Sequence, residues 1–169
     1  MLDLIITYIN FLILSISHLV KRFTFNPPDP PNYKIVQKII NNKTTKDEFL
    51  YNGKKEYKEP ENYNIEYDKI KDDKESLPIL IITPKGIYIS SCLLYCKGNA
   101  GDLGTSLHEF YEISFKCNCI IVTFEYPGYG ICKNEEFSES EFNRRIKIVY
   151  NFIINVLNYQ PNEIFLYGF

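Results

Sequence analysis

Net charge is nearly absent from these 169 residues: 19 Lys and Arg stand against 21 Asp and Glu, leaving −2. With a pI near 5.8 the chain lacks the basic footprint that nucleic acid requires, and no nucleic-acid partner is expected. Histidine is scarce, with only His18 and His108. A metal centre needs several ligands at matching spacing, which two distant histidines do not supply. The five cysteines (Cys92, Cys96, Cys117, Cys119 and Cys132) are odd in number, which speaks against a complete disulfide framework. They read as small buried hydrophobes in a reducing compartment. On extended chain, even spacing turns Cys92 and Cys96 to one face, and Cys117 and Cys119 likewise. Alanine occurs once, at Ala100, while Ile, Asn, Lys and Tyr abound. That is a bias of AT-rich coding, so local Asn/Lys runs carry little functional weight. Also missing are the G-x-G-x-x-G fingerprint and the Gly-Lys-Ser/Thr closure of a Walker loop, and no cofactor is expected.

What remains is ordinary for a globular protein of one domain: 45% hydrophobic and 24% charged residues. The exception is the amino terminus. From Leu4 to Val20 no side chain carries a formal charge if His18 is neutral, and eleven are Leu, Ile, Phe or Val. Such a run reaches about 25 Å as a helix, the short end of a bilayer span. Its apolar side chains favour insertion by about 3–6 kcal/mol together, and Asn10, Ser15 and Ser17 subtract from that. Lys21 and Arg22 follow it, which would keep the rest of the chain cytoplasmic. A cleaved signal peptide carries its positive charge ahead of the apolar run, and no small-x-small site follows here. Residues 1–22 therefore read as a membrane anchor, against the alternatives of a buried amphipathic helix or an atypical signal peptide. Leu2 stands where myristoylation needs glycine, and no cysteine is nearby for palmitoylation.

Residues 23–62 read as a proline-rich and polar linker. Phe23 to Tyr33 holds four prolines and cannot continue a helix; it suits a stiff spacer, with Phe23, Phe25 and Tyr33 packing back on the domain. Asn41 to Asn62 reads as loop, with one short helix near Lys46–Tyr51. Strand patterns then dominate: Tyr63–Tyr67, Ile79–Thr83 followed by a Pro84-Lys85-Gly86 turn, Ile87–Tyr95, Asn118–Glu125 and Glu163–Tyr167. Helical spacing covers Leu103–Ser114. A second helix opens at the capping box Ser138-x-x-Glu141, with Phe142, Ile146, Val149, Ile153 and Leu157 as its inward stripe. Alternation of strand and helix predicts an α/β domain with a parallel sheet and right-handed crossovers.

Cys96-Lys97-Gly98-Asn99-Ala100-Gly101-Asp102-Leu103-Gly104 joins a strand to a helix. Its three glycines let amide N–H groups point into a cavity, where they can stabilise an oxyanion or hold a phosphate. Alone, it also fits a plain glycine-rich connection. With Tyr126-Pro127-Gly128-Tyr129-Gly130 and Leu166-Tyr167-Gly168-Phe169 the order becomes specific. It resembles the α/β-hydrolase superfamily, most of all the membrane-associated branch of α/β hydrolase domain-containing protein 17. Phe25-Asn26-Pro27-Pro28-Asp29-Pro30 resembles that branch's Phe-x-Pro-Pro-x-Pro stretch.

The resemblance implies the first half of an α/β-hydrolase sheet (about five strands and two crossover helices) over residues 63–169. It also implies a serine hydrolase acting on esters or thioesters, with protein depalmitoylation as the branch's activity and the membrane as a partner. Gly98 and Asn99 would form the oxyanion hole, Asn99 donating the amide. Lys97 stands where the branch has histidine, and this flexible ammonium is expected to point to solvent. In the G-x-S-x-G turn the serine follows Gly-x at once, so the triad is expected beyond Phe169 and the chain as written is expected to be a fragment without activity. The strand before Gly168 is then expected to have one free edge. Ser91 and Ser106 lack a base and an acid nearby, and His108 reads as a solvent-facing helix residue. Two alternatives stay open: a non-catalytic membrane-bound α/β binding module, and a small nucleotide-binding module using Gly98–Gly104.

Overall fold

The computed structural model describes residues 6–7, 10–15, 19–20, 24–40, 44–52, 61–73 and 76–168. From residue 33 onward the described residues form β1 (Tyr33–Ile40), β2 (Thr44–Tyr51), β3 (Tyr63–Lys71), β4 (Ser76–Pro84), β5 (Ser91–Cys96), α1 (Leu107–Cys117), β6 (Cys119–Phe124), α2 (Glu139–Asn155) and β7 (Ile164–Gly168). β1 and β2 pair as an antiparallel hairpin, and the other five form one sheet in the order β3-β4-β6-β5-β7.

That sheet is mixed rather than wholly parallel as the alternation predicted. β4 runs antiparallel to β3 and β6, while β5 lies parallel between β6 and β7. The reason is local. Among the described residues, the β5-α1-β6 and β6-α2-β7 segments contain helices long enough for a parallel crossover, whereas only residues 72–75 separate β3 from β4.

Alternating side chains feed two cores. Leu80, Ile82, Tyr95 and Ile121 meet Leu107, Phe110 and Tyr111 of α1 and, from the hairpin, Tyr33 and Phe49. Leu77, Ile79, Ile81, Leu94, Ile120, Val122 and Phe124 meet Val149 and Ile153 of α2. Because β6 is covered on both faces, all six of its residues are buried and its sequence is apolar apart from Thr123.

Several boundaries differ from the sequence reading. Thr44–Tyr51, expected as loop with a short helix, is a strand whose Phe49 is buried and stacks on Tyr33 at 4.8 Å. Ile87–Ser90 lies outside β5. The helix expected from Leu103 begins at Leu107, because Asp102 first closes a turn on Thr105. Cys117 ends that helix and is exposed, so it does not share an extended face with Cys119. Asn118 stops α1 in the left-handed conformation, φ 50° and ψ 45°. At α2, Ser138 accepts from the Glu141 N–H as a cap, while the Glu141 carboxylate turns to Arg144 and Arg145. On the inward stripe Val149 and Ile153 are buried, Phe142, Ile146 and Leu157 half-buried, and Arg145 joins them fully buried.

The anchor expected over residues 1–22 falls largely outside the described residues. Those described there are helical, and Phe11, Ile13 and Leu14 are exposed. No helix among the described residues is long and apolar enough to cross a membrane. Phe23 also lies outside them; Phe25 packs on Phe137 at 3.7 Å. Among the described residues β7 pairs only with β5, and Phe165 is 57% and Leu166 68% exposed.

Candidate active site

Ligands of open α/β sheets bind beyond the carboxyl ends of the parallel strands. Here three chain segments converge there. Tyr95 of β5 pairs with Thr123 of β6, which sets Lys97 opposite Glu125 two residues later, and Cys96 pairs with Gly168 of β7. The glycine-rich loop, the Tyr-Pro-Gly-Tyr-Gly turn and the end of β7 thus share one edge of the sheet.

Lys97 does not point to solvent as expected. It is 3% exposed, and its Nζ lies 3.0 Å from Glu125 Oε1 with both side chains fully buried. The ammonium sits over the Tyr126 ring at 3.5 Å and the Tyr129 ring at 4.3 Å from their centroids. Among the described residues it has no hydrogen-bond acceptor in line, so the pair is held by charge and by the ring faces. Burial pushes the Lys97 pKa down, and the neighbouring Glu125 charge opposes that.

Glu125 is saturated from its other sides. Oε2 accepts from Tyr33 Oη at 2.7 Å and the Leu103 N–H at 3.4 Å, and Oε1 accepts from the Tyr126 N–H at 3.0 Å. Its backbone carbonyl accepts from Arg145 Nη1 at 2.8 Å. Gly130 closes the cluster: its φ is +50°, and a Cβ there would collide with Glu125 Oε2 and Tyr33 Oη. Burial, then the Glu125 charge, raises the Tyr129 pKa to about 12 and that of Tyr33 further still.

Above this cluster runs the loop. Tyr126 Oη donates to the Lys97 carbonyl at 2.5 Å, and Tyr129 Oη to the Asn99 carbonyl at 2.6 Å. The Asn26 N–H also donates to the Asn99 carbonyl, at 3.1 Å, and Asn99 Nδ2 reaches the Thr24 carbonyl. Among the described residues, the amide N–H groups of Gly98 and Asn99 engage no acceptor. A Cβ on Gly98 would meet nothing within 4 Å, so that side of the loop is open. Two adjacent, unengaged donors on an anchored loop are suited to an oxyanion.

Phosphate fits less well. Asp102 is fully buried within the same loop, accepting from the Asn32 N–H at 2.7 Å and from Thr105. A fixed carboxylate repels a phosphate. Ser106 caps α1 without a side-chain bond, and Ser91 opens β5. His108 is 77% exposed, with Nδ1 3.5 Å from Glu112, so the structure brings neither serine to a base. Glu125 and Arg145 went unnoticed in the sequence, whereas Tyr33, expected to pack back on the domain, is buried against it. The available signals were a carboxylate directly after the apolar run Ile120–Phe124 and an arginine on the apolar stripe of α2.

No family model matches the chain. It is 26% identical over 108 residues to an Acanthamoeba polyphaga mimivirus protein named as an α/β hydrolase, covering 63% of this chain and 41% of that one. It is 32% identical over 76 residues to α/β hydrolase domain-containing protein aho-3 of Caenorhabditis elegans, and 30% identical over 76 residues to α/β hydrolase domain-containing protein 17C of Homo sapiens. Each of these matches covers 45% of this chain and 23% of the relative. The chain thus spans between about a quarter and two fifths of the curated relatives it matches. Among solved structures, a Pyrobaculum calidifontis esterase superposes with a TM-score of 0.51 at 13% identity, over 62% of this chain and 35% of that one. A bacterial esterase of the hormone-sensitive lipase family gives 0.50 at 17%, over 64% and 34%. The mixed sheet and its crossover helices have the α/β-hydrolase fold of these esterases.

Proposed function

We propose that this homologue of α/β hydrolases builds the oxyanion side of a serine hydrolase that cleaves esters or thioesters, acyl groups on membrane-bound proteins being the substrate class. The observation that carries it is the pair of unengaged amides at Gly98 and Asn99, set at the end of β5 beside Gly168 of β7. When a serine oxygen attacks an acyl carbonyl, the carbonyl oxygen takes up negative charge. Donors already aimed at it lower the barrier, and losing one costs about 10²–10³ in rate. Gly168 is the first glycine of the nucleophile turn on this reading. In a G-x-S-x-G turn the serine stands two residues after that glycine. Residues 1–22 tether the domain on the cytoplasmic side of a membrane; the exposed Phe11, Ile13 and Leu14 support this.

A fluorophosphonate probe on the gene product that carries this chain tests the reading. We expect labelling of a serine directly after Phe169, slowed about 10²-fold by Asn99→Pro, which deletes the amide N–H. A folded protein that stays unlabelled overturns it. Extraction of the native protein from membranes by carbonate, without detergent, would overturn the tether. The exposed edge of β7 favours one second reading, a non-catalytic membrane-bound binding module. Stable, monodisperse residues 22–169, with no labelling of the gene product, would support it.

A further inference from the structure

We infer that Tyr126, Tyr129 and the proline-rich segment at Asn26 are positioning groups for the oxyanion amides, which makes that segment a wall of the site rather than a spacer. The inference rests on the hydrolase reading above. A trans peptide is planar, so its C=O and the next N–H point in opposite directions. Anchoring a carbonyl therefore aims the following amide.

Tyr126 Oη holds the Lys97 carbonyl at 2.5 Å, which turns the Gly98 N–H to the opposite side. Two residues on, the Asn99 carbonyl is held twice, by Tyr129 Oη at 2.6 Å and by the Asn26 N–H at 3.1 Å. The peptide plane that carries the Asn99 N–H lies between these two anchored planes, so it can turn only by compensating rotations about the Gly98 and Asn99 Cα atoms. On its free side, the space next to Gly98 is open.

The anchors are themselves fixed. Tyr126 and Tyr129 are 4% and 1% exposed, meet edge to face at 5.8 Å and enclose the Lys97 ammonium. From outside, Asn99 Nδ2 ties to the Thr24 carbonyl, and Asn32 Nδ2 donates to Thr105 Oγ1 at 2.9 Å. The tyrosines hold the loop from below and the proline-rich segment holds it from above.

Tyr126→Phe and Tyr129→Phe each delete one hydroxyl and keep the ring over Lys97. Tyr63→Phe deletes a comparably buried bond, to the Tyr111 carbonyl at 2.7 Å, away from the loop. In the gene product that carries this chain, p-nitrophenyl butyrate hydrolysis should lose about 5- to 10-fold in kcat for Tyr126→Phe and Tyr129→Phe, with KM within about twofold. Tyr63→Phe should keep wild-type kcat. Hydrogen exchange across residues 97–105 should quicken in the first two variants and not in the third. Unchanged kcat in both loop variants overturns the inference, whatever exchange does. So does a kcat loss matched by Tyr63→Phe, since that would report general loosening. A wild-type protein inactive on the ester would sink the hydrolase reading instead, and exchange alone would then decide whether the tyrosines hold the loop.

Discussion

Replacing Glu125 by glutamine should destabilise the protein more than replacing Lys97 by methionine. In the wild type the two charges lie 3.0 Å apart and fully buried. Glu125→Gln leaves the ammonium with ring faces and a neutral amide. Breaking a buried pair from one side costs about 3–5 kcal/mol, because the remaining charge stays desolvated. Lys97→Met leaves a carboxylate that still accepts from Tyr33 Oη and the amides of Tyr126 and Leu103. Those donors hold its cost to about 1–3 kcal/mol. The double variant buries no charge at this position and should recover about 1–3 kcal/mol of the Glu125→Gln loss. Urea unfolding, with midpoint and slope both measured, reads all three. pH adds a second check. Burial lowers the Lys97 pKa below its ordinary 10.5, so the unfolded chain binds the extra proton and this group's contribution to stability grows as pH rises toward 10.5. Removing the opposing Glu125 charge extends that interval downward, and the Glu125→Gln deficit should shrink as pH rises toward 10.5. A larger loss for Lys97→Met, or losses below about 1 kcal/mol for both, would refute the buried-pair account.

Two further outcomes follow from the same geometry. Gly130→Ala, which drives a methyl into Glu125 and Tyr33 from a φ of +50°, should cost about 2–4 kcal/mol, whereas Gly98→Ala, whose methyl meets nothing, should stay within about 1 kcal/mol in a thermal melt; equal losses would contradict the contacts. Burial raises the thiol pKa of Cys92 and Cys132 to about 12 and of Cys119 to about 11, from 9.0, so their contribution is whole below pH 9 and is lost as pH rises through those values. Each thiol costs about 1.36 kcal/mol per pH unit across that interval; a urea midpoint that does not fall between pH 8 and 10 would mean the thiols are hydrated.

The parallel core was legible because its strands are short apolar runs between glycine-rich turns, and the run Ile120–Phe124 can be little else. Thr44–Tyr51 was not, because only Phe49 among its residues is deeply buried, and a strand with one anchored side chain has no periodicity to read. Lys97 misled for a different reason. A lysine in a glycine-rich loop is ordinarily solvated, and the carboxylate that draws it inward is 28 positions away in the chain. Only the register between β5 and β6 brings the two together. Gly98 and Asn99 could be chosen from the loop's spelling, but nothing in the sequence says that the hydroxyls of Tyr126 and Tyr129 bond to that loop.

Tyr33 bonds to Glu125 across 92 positions, which has a practical meaning for where this protein can be cut. A fragment begun at Tyr63, the first strand of the sheet, would look tidy on paper. It would also discard the hydroxyl that quiets a buried carboxylate, the aromatic shelf of Phe49, and the strap across Asn99. Trimming there should yield a floor with one acid left half-answered, so any dissection of this chain should keep its proline-rich beginning.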